Sequence, residues 1–415
     1  MKIRPFSVLF VLAAAAGLVF ASFSTHDFVQ HLDRQLHDIT CSWVPGVIAS
    51  DSSATSGCHV TLMSPYSSVL REQVWGGLPI ALPGMAVFAF LLFRGLDLVA
   101  NGKGRSKAAT TFLLLATAVP VLTSAVMGYL SIVELDAACR LCIGIYISSL
   151  VCFASAIGIW RDAGRPFEDG ETEPDPAEEP QNPMSHHLLG VGQGVAFVAV
   201  PALLYLVGAP DFSSYLGKCG ALEKPEDSYG IMVPLGAQGR GLATIEVFDP
   251  LCPACKGFEE RLDMSGLGDK LSRKAVLFPL DEACNWMVKG SLHPGACTVS
   301  EAIFCAGDKA ESVIDWAFEN QELIRSSTAA DKDAAARMVV ARFPELKSCV
   351  GGAAVKNKIN KSLRWAVNNQ LRISTPQLFV EGTRLCDEDT DLGMDYALSR
   401  LIEQRAAGAK PGQGG

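Results

Sequence analysis

The sequence predicts a membrane α-helical bundle followed by a soluble α/β domain. Five long apolar runs fill its first half, the composition turns polar after residue 208, and a strand–helix–strand pattern occupies the second half. Of 415 residues, 49% are hydrophobic and only 19% charged. That balance is too apolar for an ordinary soluble chain and suits one that is half membrane and half soluble. A net charge of −9 with no basic stripe argues against nucleic acid as a partner.

The apolar runs lie near 6–23, 75–93, 108–132, 143–160 and 187–208. A bilayer crossing takes about 20 helical residues, so each is read as a span: a four-helix core and a fifth helix. Pro79, Pro83, Pro120 and Pro201 fall inside them, which spanning helices tolerate. Trp75, Tyr129, Trp160 and Tyr205 stand near their ends, as interfacial anchors should. Residues 6–23 also resemble a cleaved signal sequence, with Lys2 and Arg4 ahead and small residues from Ala21 behind. The run is long for a signal core and is read here as a span.

Basic residues orient the bundle. Lys2 and Arg4, the group Arg94, Lys103, Arg105 and Lys107, and the pair Arg161 and Arg165 all fall on one side. The positive-inside rule makes that side cytoplasmic. The loop 24–74, the turn at Cys139 and everything after 208 are then expected outside, and the acidic stretch from Glu168 to Glu179 is a solvated cytoplasmic linker. The expected divisions are a membrane domain over 1–160, the linker over 161–186, the fifth helix over 187–208, a soluble domain over 209–405, and a disordered tail over 406–415.

Beyond 208, Ala243-Thr244-Ile245-Glu246-Val247-Phe248 reads as a strand by β-branching and alternation. Helical patterns follow around 255–270, 298–325, 330–342 and 352–369. Gln377-Leu378-Phe379-Val380 reads as a late strand, and a last helix covers about 391–405. This order suggests one α/β domain.

Thirteen cysteines suit an oxidising compartment such as the bacterial periplasm. Cys152, deep in an apolar run, is expected to be an inert small hydrophobe. The informative ones form two Cys-x-x-Cys pairs. Cys252-Pro253-Ala254-Cys255 follows the strand, and Pro253 suits the first turn of a helix. Cys252 there meets unpaired N–H groups and the positive end of the helix dipole, both favouring thiolate. A zinc half-site would need a second tight ligand pair, which neither Cys284 with Cys297 nor Cys305 with Cys349 provides. Cys139-Arg140-Leu141-Cys142 opens the fourth span, with Tyr146 one turn deeper on the same face. Taken by itself, Tyr146 reads equally as an interfacial tyrosine.

Val247 to Cys255, followed far downstream by Ser374-Thr375-Pro376-Gln377-Leu378-Phe379-Val380-Glu381-Gly382, resembles a thioredoxin-fold domain of the periplasmic thiol-oxidase type. The resemblance implies that Pro376 is cis and faces the cysteines, and that Thr375 and Pro376 present backbone to a substrate chain. The cysteine-bearing stretch 281–350 resembles the helical insertions of that branch. Cys219, Cys284, Cys297, Cys305, Cys349 and Cys386 are expected to be structural, among fifteen possible pairings. Proximity favours Cys284–Cys297 and Cys305–Cys349, with Cys219–Cys386 the remainder. His293 is expected to be a packed or surface histidine, and His59 has no assigned part.

In the first half, Cys41 and Cys58, then Ser64 six residues on, a Gly-Gly-Leu-Pro lead-in, and Cys139-x-x-Cys142-x-x-x-Tyr146 are similar to the vitamin K epoxide reductase family. The chain looks like a bacterial homologue fused to its redox partner. Cys41 and Cys58 are further apart than the family norm, which leaves their loop geometry open. The resemblance implies that Cys142 is the thiol nearest a quinone, ubiquinone or menaquinone, with Cys139 its partner, exchanging with Cys58. Cys41 would receive electrons from Cys252, and Ser64 and Tyr146 match quinone-pocket residues. No metal is implied.

The expected activity is disulfide formation in secreted or periplasmic proteins by a multi-pass protein of the bacterial inner membrane. Two rivals remain: a thiol reductase or isomerase fed from the cytoplasm, and a membrane-anchored thioredoxin-fold chaperone that is not an enzyme. The first needs a cysteine pair reachable from inside, and none is visible.

Overall fold

A computed structural model describes residues 5–33, 42, 57–100, 106–135, 137–165, 183–236, 238–239, 241–390 and 392–406. The chain divides into two compact units, Met1–Pro210 and Asp211–Gly415. Cys41 lies outside the described residues, as do 166–182 of the expected linker and 407–415 of the expected tail. The ends of the linker, expected over 161–186, belong to helices, as does Ala406.

The first unit contains helices α1 (Pro5–Gln30), the short α2 (Gly57–Met63), α3 (Ala81–Ala100), α4 (Lys107–Tyr129), α5 (Arg140–Ala163) and α6 (Pro183–Gly208). Among the described residues, five helical stretches are long and apolar enough to cross a membrane. Helix α1 packs against α3 and α5, α4 against α5, and α6 lies along α3 and α4. Phe10, Phe88, Leu91, Leu113 and Cys152 fill the centre. Cys152 is fully buried there, as a small hydrophobe would be. On α6, Phe197 stacks on Phe93, and the Tyr205 hydroxyl donates to Gly77 O at 2.9 Å.

The second span begins later than the apolar run suggests. Strands β1 (Ser68–Val69) and β2 (Leu78–Pro79) form a small antiparallel ribbon before α3. Gly76 and Gly77, at φ 70° and 76°, make the turn between them. These left-handed conformations interrupt a helix and cost glycine least. Trp75 is therefore buried in this ribbon, not an interfacial anchor. The first span is longer than expected: α1 continues through Gln30, carrying Asp27 with it.

In the second unit, β3 (Val233–Leu235), β4 (Leu242–Phe248), β5 (Leu271–Leu277), β6 (Gln377–Val380) and β7 (Thr383–Arg384) form one sheet of order β3-β5-β4-β6-β7. Strand β4 runs parallel to β5 and antiparallel to β6. Helix α7 (Pro253–Ser265) joins β4 to β5 and stops at Gly266, short of the expected 270. Leu271–Leu277, not anticipated from sequence, is an inner strand.

The insertion between β5 and β6 is helical: α8 (Ala296–Ala306), α9 (Ala310–Glu319), α10 (Gln321–Ala330), α11 (Ala334–Arg342) and α12 (Ala353–Asn368). The single pattern expected over 298–325 is three helices, broken at Gly307-Asp308-Lys309 and Asn320, where weak helix formers gather. Helix α13 (Met394–Ala406) closes the chain. Cys219–Cys386, Cys284–Cys297 and Cys305–Cys349 are disulfides, the pairing that proximity and elimination suggest. This is a thioredoxin-like α/β domain with a helical insertion.

Candidate redox sites

In the membrane unit, Cys139 and Cys142 are disulfide-bonded at the start of α5, with Cα atoms 5.2 Å apart. Cys139 is the N-cap, its sulfur accepting the Cys142 N–H at 3.2 Å. Ser131, in a π turn after α4, exchanges hydrogen bonds with the backbone of Ala137 and fixes the approach to this cap.

Cys58 and Cys139 are buried in one cluster with Leu141, against Phe20, Phe23 and Leu62. Cys58 is itself disulfide-bonded. The start of α2 comes this close because residue 57 is glycine. A Cβ there would sit 2.4 Å from the Ala138 carbonyl oxygen, nearer than real Cβ contacts come.

Cys58, Cys139 and Cys142 line a cavity of about 150 Å³ with Ser64, Tyr66, Ile145 and Tyr146. Its walls are mainly apolar, from α1, the 57–81 segment, α4 and α5. Ser64 is buried and donates its hydroxyl to Thr61 O at 2.9 Å. Its carbonyl accepts Arg71 Nη1 at 2.7 Å, which pins the turn. Among the described residues, the half-buried Tyr146 hydroxyl has no protein hydrogen-bond partner. A phenol so placed offers a donor to an oxygen within the cavity. A mainly apolar wall with hydroxyl groups set into it suits an apolar ligand that carries hydrogen-bonding atoms.

In the soluble unit, Cys252 is the N-cap of α7, with Pro253 in its first turn. Both Cys252 and Cys255 are buried and carry free thiols. Thr375–Pro376 is a cis peptide bond, and Thr375 O lies 3.6 Å from Cys252 Sγ. The Cys252 thiol is lowered to about 6. The hydrogen bond from Cys255 contributes most, burial opposes it, and Thr375, the Cys255 N–H and His293 add to the lowering. The Thr375 hydroxyl is buried with no other partner among the described residues, so a thiolate at Cys252 gives it an acceptor. Burial, together with the neighbouring Cys252, raises Cys255 well above an ordinary thiol. One sulfur is thus primed to attack while the other keeps its proton.

His293 is buried, as expected, but it belongs to the site. Its Nδ1 lies 2.8 Å from Asp249 Oδ2, and the same carboxylate accepts N–H groups of Leu251 and Leu280 at 2.7 and 2.6 Å. Burial works against the imidazolium, yet Asp249 and Cys252 raise its proton affinity above the ordinary value. From α10, Gln321 donates to the carbonyls of Pro250 and Cys252 at 3.1 and 3.0 Å. The insertion therefore holds the dithiol turn as well as supplying its charge.

Beneath the dithiol, Glu246 on β4 is fully buried and 2.9 Å from Arg273 on β5, which also binds Glu259 on α7. Burial, reinforced by Glu246, pushes Glu259 up to about 9 against the pull of Arg273. Glu259 and Arg273 open on a hollow of about 560 Å³ that neither Cys252 nor Cys255 lines. Among the described residues, no group of three or more histidines, cysteines or carboxylates is placed to hold a metal.

Residues 8–157 match the Vitamin K epoxide reductase family. The reduced form of DsbA1 from Neisseria meningitidis is similar in structure at 12% sequence identity and a TM-score of 0.28, over 46% of this chain and 100% of that one. No curated protein sequence matches.

Proposed function

We propose that this membrane thiol oxidoreductase, a vitamin K epoxide reductase family domain followed by a thioredoxin-like domain, forms disulfides in secreted proteins and delivers the electrons to a quinone. Oxidised Cys252–Cys255 takes two electrons from a substrate dithiol, with Thr375 and Pro376 presenting backbone to the substrate chain. Reduced Cys252 then attacks the loop pair Cys41–Cys58. Cys58 exchanges with Cys139, and the Cys139–Cys142 dithiol reduces the quinone, ubiquinone or menaquinone, held by Ser64 and Tyr146. Each exchange is a thiolate attack on a disulfide, so thiolate fraction and access set its rate. The protein would lie in a bacterial inner membrane with both dithiols on the periplasmic side.

The observation that carries this reading is the shared cavity: Cys58, Cys139 and Cys142 border one apolar hollow with Ser64 and Tyr146. A bundle serving only as an anchor gives no reason for three cysteines around such a space. The test is oxidation of a reduced peptide by the purified full chain with quinone as sole acceptor. Cys142→Ala is expected to abolish it and to leave Cys252–Cys255 reduced in cells lacking other oxidases. Continued oxidation of that pair in the variant would rule out the route.

A further inference from the structure

The cavity wall carries one carboxylate among the described residues, and the electron route through the cysteines gives it no task. Asp27 stands on α1, near the end of an apolar stretch, with its residue only 2% exposed. It lines the same hollow as Cys58, Cys139, Cys142, Ser64 and Tyr146. Burying a carboxylate in mainly apolar surroundings is costly, and within a spanning helix such a group is ordinarily kept for function.

Asp27 also has a connection to the surface. His26 Nδ1 lies 3.8 Å from its Oδ1, and the His26 side chain is 62% exposed. One turn on, His31 Nδ1 contacts the Asp27 carbonyl at 2.7 Å. Among the described residues, the other titratable groups around the cavity are Cys58 and Tyr66 from the 57–81 segment and Cys139, Cys142 and Tyr146 on or beside α5. Helices α3 and α4 supply no titratable group to it.

We propose that Asp27 is the proton carrier of the membrane step, exchanging with water through His26. This rests on the quinone-reducing function proposed for the chain. When Cys139 and Cys142 close their disulfide, two S–H bonds break, one S–S bond forms, and two electrons and two protons reach the quinone, giving a hydroquinone. Asp27 as carboxylate accepts the first thiol proton and passes it to one ring oxygen, then accepts the second and passes it to the other, and so ends the cycle ionised. Between cycles His26 keeps it in exchange with water. No other oxidant or reductant is needed.

The experiment compares full-chain wild type, Asp27→Asn and Asp27→Glu in detergent, with a soluble quinone analogue and a thiol reductant. General acid–base contributions typically amount to about 10²–10⁴-fold. Asp27→Asn is expected to lower kcat at least about tenfold with KM little changed, to flatten the pH profile, and to be partly rescued by a small carboxylic acid. Asp27→Glu should retain much of the rate. A readout independent of turnover is the infrared difference spectrum of quinone-free protein on reducing Cys139–Cys142. A carboxyl band should change in wild type and be missing in Asp27→Asn. An unaltered rate and pH profile in Asp27→Asn, or a carboxyl band that survives the substitution, overturns the proposal. A wild type unable to reduce quinone at all refutes the underlying function instead.

Discussion

A thiol at about 6 in place of an ordinary value of about 9 has a consequence that simple activation does not anticipate. At pH 7 about 90% of Cys252 is thiolate, against about 1% of an unperturbed cysteine. Intrinsic nucleophilicity falls with basicity, and a Brønsted coefficient near 0.5 makes this thiolate about 30-fold less reactive. The two effects nearly cancel, leaving Cys252 about threefold faster than an ordinary thiol at pH 7. The curves should cross near pH ~7.5, above which Cys252 is the slower. The assay is iodoacetamide alkylation of the reduced full chain across pH 4–10 (about the accessible range), followed by mass spectrometry of the Cys252 peptide.

Removing the sulfur of Cys255, the largest contributor, should move the midpoint up most, and His293→Gln should move it up less. A wild-type midpoint above about 8, or no movement in Cys255→Ala, would refute the electrostatic account. The same lowering favours the reduced form. Because the folded dithiol's thiol lies below the ordinary value, this preference grows as pH rises from about 6 toward 9 and vanishes as pH falls through 6. At pH 7 it amounts to about 1.4 kcal/mol, or about 30 mV toward a more oxidising pair. That sign suits a domain that takes electrons from substrates.

Gly57→Val should push the start of α2 off the Ala138 carbonyl and slow exchange between Cys58 and Cys139 by at least about tenfold, seen by stopped-flow with reduction of Cys252–Cys255 as the trigger. Glu259 is protonated in the folded state up to about 9, whereas an unfolded glutamate ionises near 4.5. Stability should therefore fall as pH rises between these values, by at most about 1.4 kcal/mol per pH unit. Glu259→Gln should remove that slope in denaturation of the full chain. Replacing Cys219 and Cys386 together by serine opens a loop of 167 residues and should cost about 3–5 kcal/mol, lowering the unfolding temperature of the soluble unit.

Much of this molecule is legible in local sequence, and what escapes is set by distance along the chain. Apolar runs announce the spans because a bilayer demands length and uniformity. The start of the second is misread because Trp75 and Leu78 look like span residues, while Gly76 and Gly77 turn the backbone away. Strand β5 hides behind Ser272, Arg273 and Lys274, whose polarity resembles a solvated segment. Arg273 is nonetheless buried, since Glu246 on the neighbouring strand neutralises it and Glu259 on the helix adds a hydrogen bond. Buried charge of this kind is visible only once its partners are brought together.

Distance along the chain likewise separates the sulfur atoms from the groups that tune them. A Cys-x-x-Cys spacing states its chemistry within four residues, because one helical turn suffices to join the two sulfurs. His293 is 44 residues from Asp249 and reaches it only through the strand order and the insertion. Asp27 falls four residues beyond the apolar run 6–23, in what reads from sequence as the outer loop. Its meaning changes because α1 continues past it and α5 packs alongside, so the carboxylate faces the hollow that the cysteines border. The cysteines determine which electrons can move. The groups assembled by tertiary packing determine where the accompanying protons can go, and the proposed transfer to a quinone requires the two to be positioned together.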